Sequence, residues 1–263
     1  MKRILPVAIA LLFSSAVRGA NDPVAPDVAA FDGILKSYVL NDGTVRYAAL
    51  KAGLEPLSRV IGQIAAVSPD SHPRIFPSRS DRLAYWLNTY NALVLWAMAK
   101  EYPGKKDRLS SLIGRNSFFF KRKFRVGVRD LSLNDIETNA IRKTFQEPRI
   151  HFAIVCASVG CPWLSRDAFR GERLEEQLDA RTRLFVDQPR NVRVNRAARV
   201  VELSSIFEWY GEDFGKSTEA LLRFIAKHKG EGGAELLEGK WKVRYVPYDW
   251  GINEARAERT AAP

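Results

Sequence analysis

An α+β fold, one domain with a buried central helix and short mixed or antiparallel strands, is what this 263-residue sequence predicts. Three observations carry that expectation. The stretch RLAYWLNTYNALVLWAMAKEY, residues 82–102, is apolar almost all round, as a helix must be when it runs through a core. Short runs near residues 124–128, 192–203 and 241–246 have the composition or alternation of strands. Helical and strand-like segments mingle without the regular alternation that builds a parallel sheet.

The elements follow in chain order. Residues 1–20, MKRILPVAIALLFSSAVRGA, place Lys2 and Arg3 before a short apolar run and small residues, the layout of a secretory signal peptide. Residues 21–30 read as a linker, residues 31–255 as the domain and residues 256–263 as a disordered tail. Phe31 to Tyr38 suits a short amphipathic helix, and NDG at 41–43 a turn leading to a strand-like piece at Val45 and Tyr47. Leu54 to Val67 repeats apolar residues at helical spacing. Ser78 and Asp81 form a capping box that opens the central helix, from about Arg79 to Glu101. Ser132 and Asp135 form another, opening a helix through Ile136 to Phe145. Ile150 to Val155 has strand composition. Pro162 suits a first helical position, which would put Cys161 at an N-cap. Glu172 to Val186 is an amphipathic helix, Val192–Val194 with Val200–Leu203 a hairpin, SSIFEWYGEDFG a short capped helix, Glu219 to His228 another helix, and Trp241 to Val246 a last strand.

Composition bounds the function. A hydrophobic content of 46% with six Trp excludes a disordered chain. The formal charge of +11, from 41 Lys and Arg against 30 Asp and Glu, gives a basic protein suited to an anionic envelope component; export argues against nucleic acid. No later stretch is long and charge-free enough to span a membrane, so the expectation is a periplasmic or secreted protein. Neither a phosphate-binding glycine loop, nor a dinucleotide fingerprint, nor GxSxG occurs, and no cofactor is implied.

Candidate chemistry gathers in RIHFAIVCASVGCPWL, residues 149–164, which holds both cysteines and His151. A Cys156–Cys161 disulfide fits an even cysteine count and export. A nucleophilic thiol is the second reading, with Arg149 as a nearby cation. A metal site has only His151, Cys156 and Cys161 to offer and lacks paired CxxC spacing. Inert buried cysteines are the fourth. As a strand, the segment would point His151 and Cys156 to opposite faces, roughly 16 Å apart at about 3.3 Å per residue. Elsewhere, Asn88 and Asn91 lie one turn apart on the central helix, where buried amides must find partners. Glu137 sits on a helix face with Ala140 and Ile141. Asp213 lies in WYGEDF. His228, between Lys227 and Lys229, reads as surface, and His72 as loop.

The chain resembles domain-of-unknown-function family 547, known from exported bacterial proteins and from plant proteins. The likeness rests on YWLNTYNAL (85–93), LSLNDIE (131–137), EPRIHFAIVCASVGCP (147–162), LSSIFEWYGEDFG (203–215) and YDWGIN (248–253), in that order. It departs from the family pattern at Val155, where Asn is common, at Val159-Gly160, where Lys-Ser is common, and at Gly251-Ile252. The resemblance implies that polar positions matter here as well as packing ones. A signature shared with intracellular plant proteins also implies reduced cysteines, structural or catalytic. The expectation is therefore a thiol-dependent hydrolase or acyl transferase acting on a small acyl substrate. Cys156 is its nucleophile, His151 or Glu137 handles protons, Asn88, Asn91, Ser158 and Asp213 orient, and Arg149 meets an anionic substrate. The rival is a non-catalytic envelope-binding module with structural cysteines.

Overall fold

The computed structural model describes residues 23–103 and 109–255. The expected signal peptide and the tail from residue 256 lie outside the described residues. Four helices open the fold: α1 Val28–Tyr38, α2 Tyr47–Ala52, α3 Glu55–Ala66 and α4 Arg79–Glu101. The expected linker is therefore shorter than 21–30, because Asp27 caps α1 by accepting from the Ala30 N–H. Tyr47 begins a helix instead of continuing a strand; only Val45 pairs, with Val39 and Glu254.

The central helix is α4. Ser78 and Asp81 make the capping box read from the sequence, and Leu83, Leu87, Val94, Ala97 and most of the residues between them are buried. It stays buried because α2, α3 and the segment after residue 133 pack around it.

The next stretch alternates helix and hairpin: α5 Leu112–Asn116 runs into a π-helical turn, Ser117–Lys121, followed by an antiparallel hairpin of β1 Phe124–Val126 and β2 Arg129–Leu131. The second capping box, Ser132 with Asp135, starts α6 Leu133–Asp135. The helix then widens into a π-helical stretch, Ile136–Arg142, before α7 Lys143–Phe145. A strand does not follow. Residues Pro148–Phe152 form a 3-10 helix and the chain then turns through the cysteines, so the strand expected at 150–155 is absent. Pro148 at the first helical position, with Glu147 accepting from the Arg149 N–H, outweighs the strand composition. No helix follows Cys161, so it is not an N-cap.

The C-terminal part holds α8 Leu174–Asp187, β3 Val192–Asn195, β4 Val200–Ser204, α9 Ser205–Trp209, α10 Thr218–His228 and β5 Lys242–Val246. β3 and β4 form the expected hairpin, and β5 joins β4 in parallel, with Val201 opposite Val243. The result is an α+β fold with two small sheets.

The core has two parts. One surrounds α4; the other joins Val201 and Leu203 of β4 to Phe207, Phe214 and Leu222. The 3-10 helix lies on the seam, since Ile150 packs into the first part and Phe152 into the second. α8 spans both through Leu178 and Phe185. No helix among the described residues is long and apolar enough to cross a membrane.

Candidate active site

A cavity of about 270 Å³ opens at that seam. Both π-helical stretches feed it, giving Phe119 and Phe120 from one and Glu137 from the other, and α4 contributes Tyr90. Wide helical turns of this kind recur at functional sites because they re-aim side chains out of the regular 3.6-residue spacing. His151, Cys156 and Cys161 line the same cavity. The expectation that His151 and Cys156 face apart is thus corrected: a strand would separate them, but the 3-10 helix and turn bring both to one cavity.

His151 is buried, 4% exposed, with its ring stacked on Tyr210 at 3.9 Å. Its Nε2 lies 2.7 Å from an Asp213 carboxylate oxygen, and Arg142 reaches the same carboxylate with Nε at 2.8 Å and a terminal nitrogen at 3.1 Å. The hydrogen bond from His151, with help from Arg142, holds Asp213 well below the usual carboxylate range. Burial pulls His151 below its ordinary value, against the pull of Asp213. A neutral imidazole facing an ionised carboxylate places its proton on Nε2 and leaves Nδ1 as the base.

Glu137 is half-buried and accepts hydrogen bonds from the hydroxyls of Tyr210 at 2.5 Å and Tyr90 at 3.5 Å. Burial first, then the Glu137 charge, pushes both tyrosines up, so they stay protonated donors.

The cysteine loop is held from two sides. Asn91, 2% exposed, donates to the Ala153 carbonyl at 2.9 Å and accepts from the Val155 N–H at 3.1 Å. Residues 249–253 run along the other side, where the N–H groups of Val159, Gly160 and Asn253 donate to Gly251, Asp249 and Ala157. A Cβ at Gly160 would lie 2.9 Å from the Tyr248 ring, so glycine is what lets this strap approach. Cys156 and Cys161 are joined in a disulfide, in contrast to the reduced pair that the family resemblance implies. Ser158 Oγ and the Tyr248 hydroxyl lie 3.0 and 3.2 Å from Cys156 Sγ, and Tyr248 is 3.2 Å from Cys161 Sγ.

Other expected residues stand elsewhere. Asn88 grips the backbone of Phe169 with both amide atoms, at 2.8 Å each, beside a second, largely apolar cavity of about 200 Å³ that contains neither cysteine nor His151. Arg149, expected to meet an anionic substrate, is committed to Glu147, Glu175 and Asp179 and does not line the 270 Å³ cavity. His228, read as surface, is buried against Phe224, 4.0 Å from Asp179. The sequence reasoning passed over the aromatic lining, although its letters lay inside quoted motifs: Tyr90 in YWLNTYNAL, Trp209 and Tyr210 in FEWYGEDF, Tyr248 and Trp250 in YDWGIN. Arg142 gave no such signal.

No curated protein and no solved structure matches the chain. Residues 76–186 match the family described as protein of unknown function, DUF547, so the stretch that carries Asn88, Asn91, Glu137, Arg149, His151 and both cysteines belongs to that family.

Proposed function

We propose that the protein is a thiol-dependent hydrolase or acyl transferase that works outside the cytoplasm, with Cys156 as its nucleophile. The observation that carries this reading is convergence: His151 and Cys156, from the 3-10 helix and the turn after it, and Glu137, from the widened helix at 136–142, line one cavity. The paired cysteines and the leader-like residues 1–20 support an oxidising location. In the disulfide form the nucleophile is stored. Two equivalents of a small thiol supply the two electrons and two protons that separate Cys156 from Cys161. The freed Cys156 gives its proton to His151 and attacks the acyl carbonyl, forming a thioester as the leaving group departs with that proton. Water or an acceptor alcohol then takes the acyl group and restores the thiol. Asp213 keeps His151 in the tautomer this requires. Hydroxyl donors at Ser158 and Tyr248 favour the thiolate.

The second reading, a binding module, is favoured by the disulfide itself and by the bracing roles of Asn88 and Arg149. Alkylation rates of the reduced protein against pH, native and unfolded, decide between them. The enzyme reading expects one fast thiol with a depressed pKa, lost in Cys156→Ala together with turnover of simple thioesters. Two thiols that react only after unfolding would sink it.

A further inference from the structure

The cavity has a charge character opposite to that of the chain. A protein with 41 Lys and Arg against 30 Asp and Glu sets none of those cations among the residues that line it. Its one carboxylate, Glu137, is half-buried and makes no ion pair among the described residues; its partners are the two tyrosine hydroxyls. A half-buried carboxylate whose partners are two neutral hydroxyls keeps acceptor capacity that a cation can use. Arg142, a cation that feels the Glu137 charge, is already shared with Asp213 and lies over Tyr210.

The walls suit such a guest. Trp209, Tyr248 and Trp250 form one aromatic cluster, with ring centroids 4.6 to 5.6 Å apart. Phe120 and Trp209, 53% and 46% exposed, present aromatic faces at the cavity's rim. Arg115 already lies over the Trp250 ring at 4.2 Å, so this surface attracts cations. The electron-rich ring faces and the carboxylate together favour a weakly hydrated positive head over a sugar or an anion.

We infer that this pocket binds the head of an organic cation, a quaternary or alkylated ammonium, with Glu137 as counter-charge and Trp209, Tyr248 and Trp250 as an aromatic wall. The inference rests on the acyl-transfer reading only in making the substrate an acyl ester or amide of an amino alcohol or amine. The binding itself stands on the pocket. It also separates the pocket from the anionic partner expected from net charge.

Tryptophan fluorescence and calorimetric titration of the folded protein with choline, and with the neutral isostere in which carbon replaces the nitrogen, test it. The expected result is saturable choline binding, about tenfold or more tighter than the isostere, because a cation–π contribution and a counter-charge, each worth up to about a factor of ten, act together. Glu137→Gln and Trp209→Leu should each weaken choline by about tenfold with unchanged far-UV circular dichroism, and choline should still bind a Cys156→Ser/Cys161→Ser protein. Equal affinity for cation and isostere, tighter binding of acetate, or no choline binding by a folded protein overturns the inference. Choline binding with no thioester turnover would leave this inference standing and remove the acyl-transfer reading; turnover without choline binding would do the reverse.

Discussion

His151 stands between Ile150 and Phe152, which belong to different parts of the core, so it is buried whatever its chemistry. That fixes a pH dependence. Its pKa is lowered from 6.5 in the folded chain, mainly by burial. On acidification below that value the unfolded chain takes up a proton that the folded chain refuses, so stability falls as pH drops. Thermal melts at about pH 7.5 and about pH 5.5 should show this loss, and it should shrink in His151→Gln. A remainder should persist, because burial lowers His228 in the same direction. Asn91→Ala strands a buried carbonyl and a buried N–H and should cost about 2–4 kcal/mol in denaturant titration, with altered cysteine reactivity. Asn88→Ala, further out, should cost less and leave the cysteines as they were. Gly160→Ala drives a methyl into Tyr248 and should cost about 1–3 kcal/mol.

Among the elements, those with local signals were legible. The capping boxes at Ser78 and Ser132 appear where the sequence put them, because a cap is settled by residues three apart. The apolar girth of α4 announced its burial. The 150–155 segment misled because a short apolar run has the same composition in a buried strand and a buried turn; the cap at Glu147 and Pro148 starts the turn, and tertiary contact with Asn91 holds it. The widened helix at 136–142 has no periodicity signature, so the aim of Glu137 into the cavity was not readable. Ser132→Ala removes the cap that starts this helix and should cost about 1 kcal/mol by thermal melt. If the cap also sets the aim of Glu137, ligand titrations of the variant will be weaker than those of the parent.

Taken whole, the molecule builds its cavity from distant parts. The polar candidates were recognisable as residue types, but their grouping was not: the separations of 62 positions from His151 to Asp213, and of 92 from Cys156 to Tyr248, are bridged only in space. Asn253 ties the strap down by accepting from the Tyr47 hydroxyl at 2.8 Å and donating to the Gly43 carbonyl at 3.3 Å. Asn253→Ala should therefore cost about 1–3 kcal/mol and speed hydrogen exchange at Val159 and Gly160, whose N–H groups the strap holds.

The strap has a further consequence, in time. A ribosome makes about 5–20 residues per second, so Tyr248, 92 positions after Cys156, emerges roughly 5–20 s later. For that interval a nascent chain has both sulfurs but not the wall that covers them. The cavity is thus among the last features to mature, and a pulse-labelled chain should pass through a stage in which Cys161, 4% exposed in the finished fold, is open to small oxidants and alkylating agents before the strap arrives.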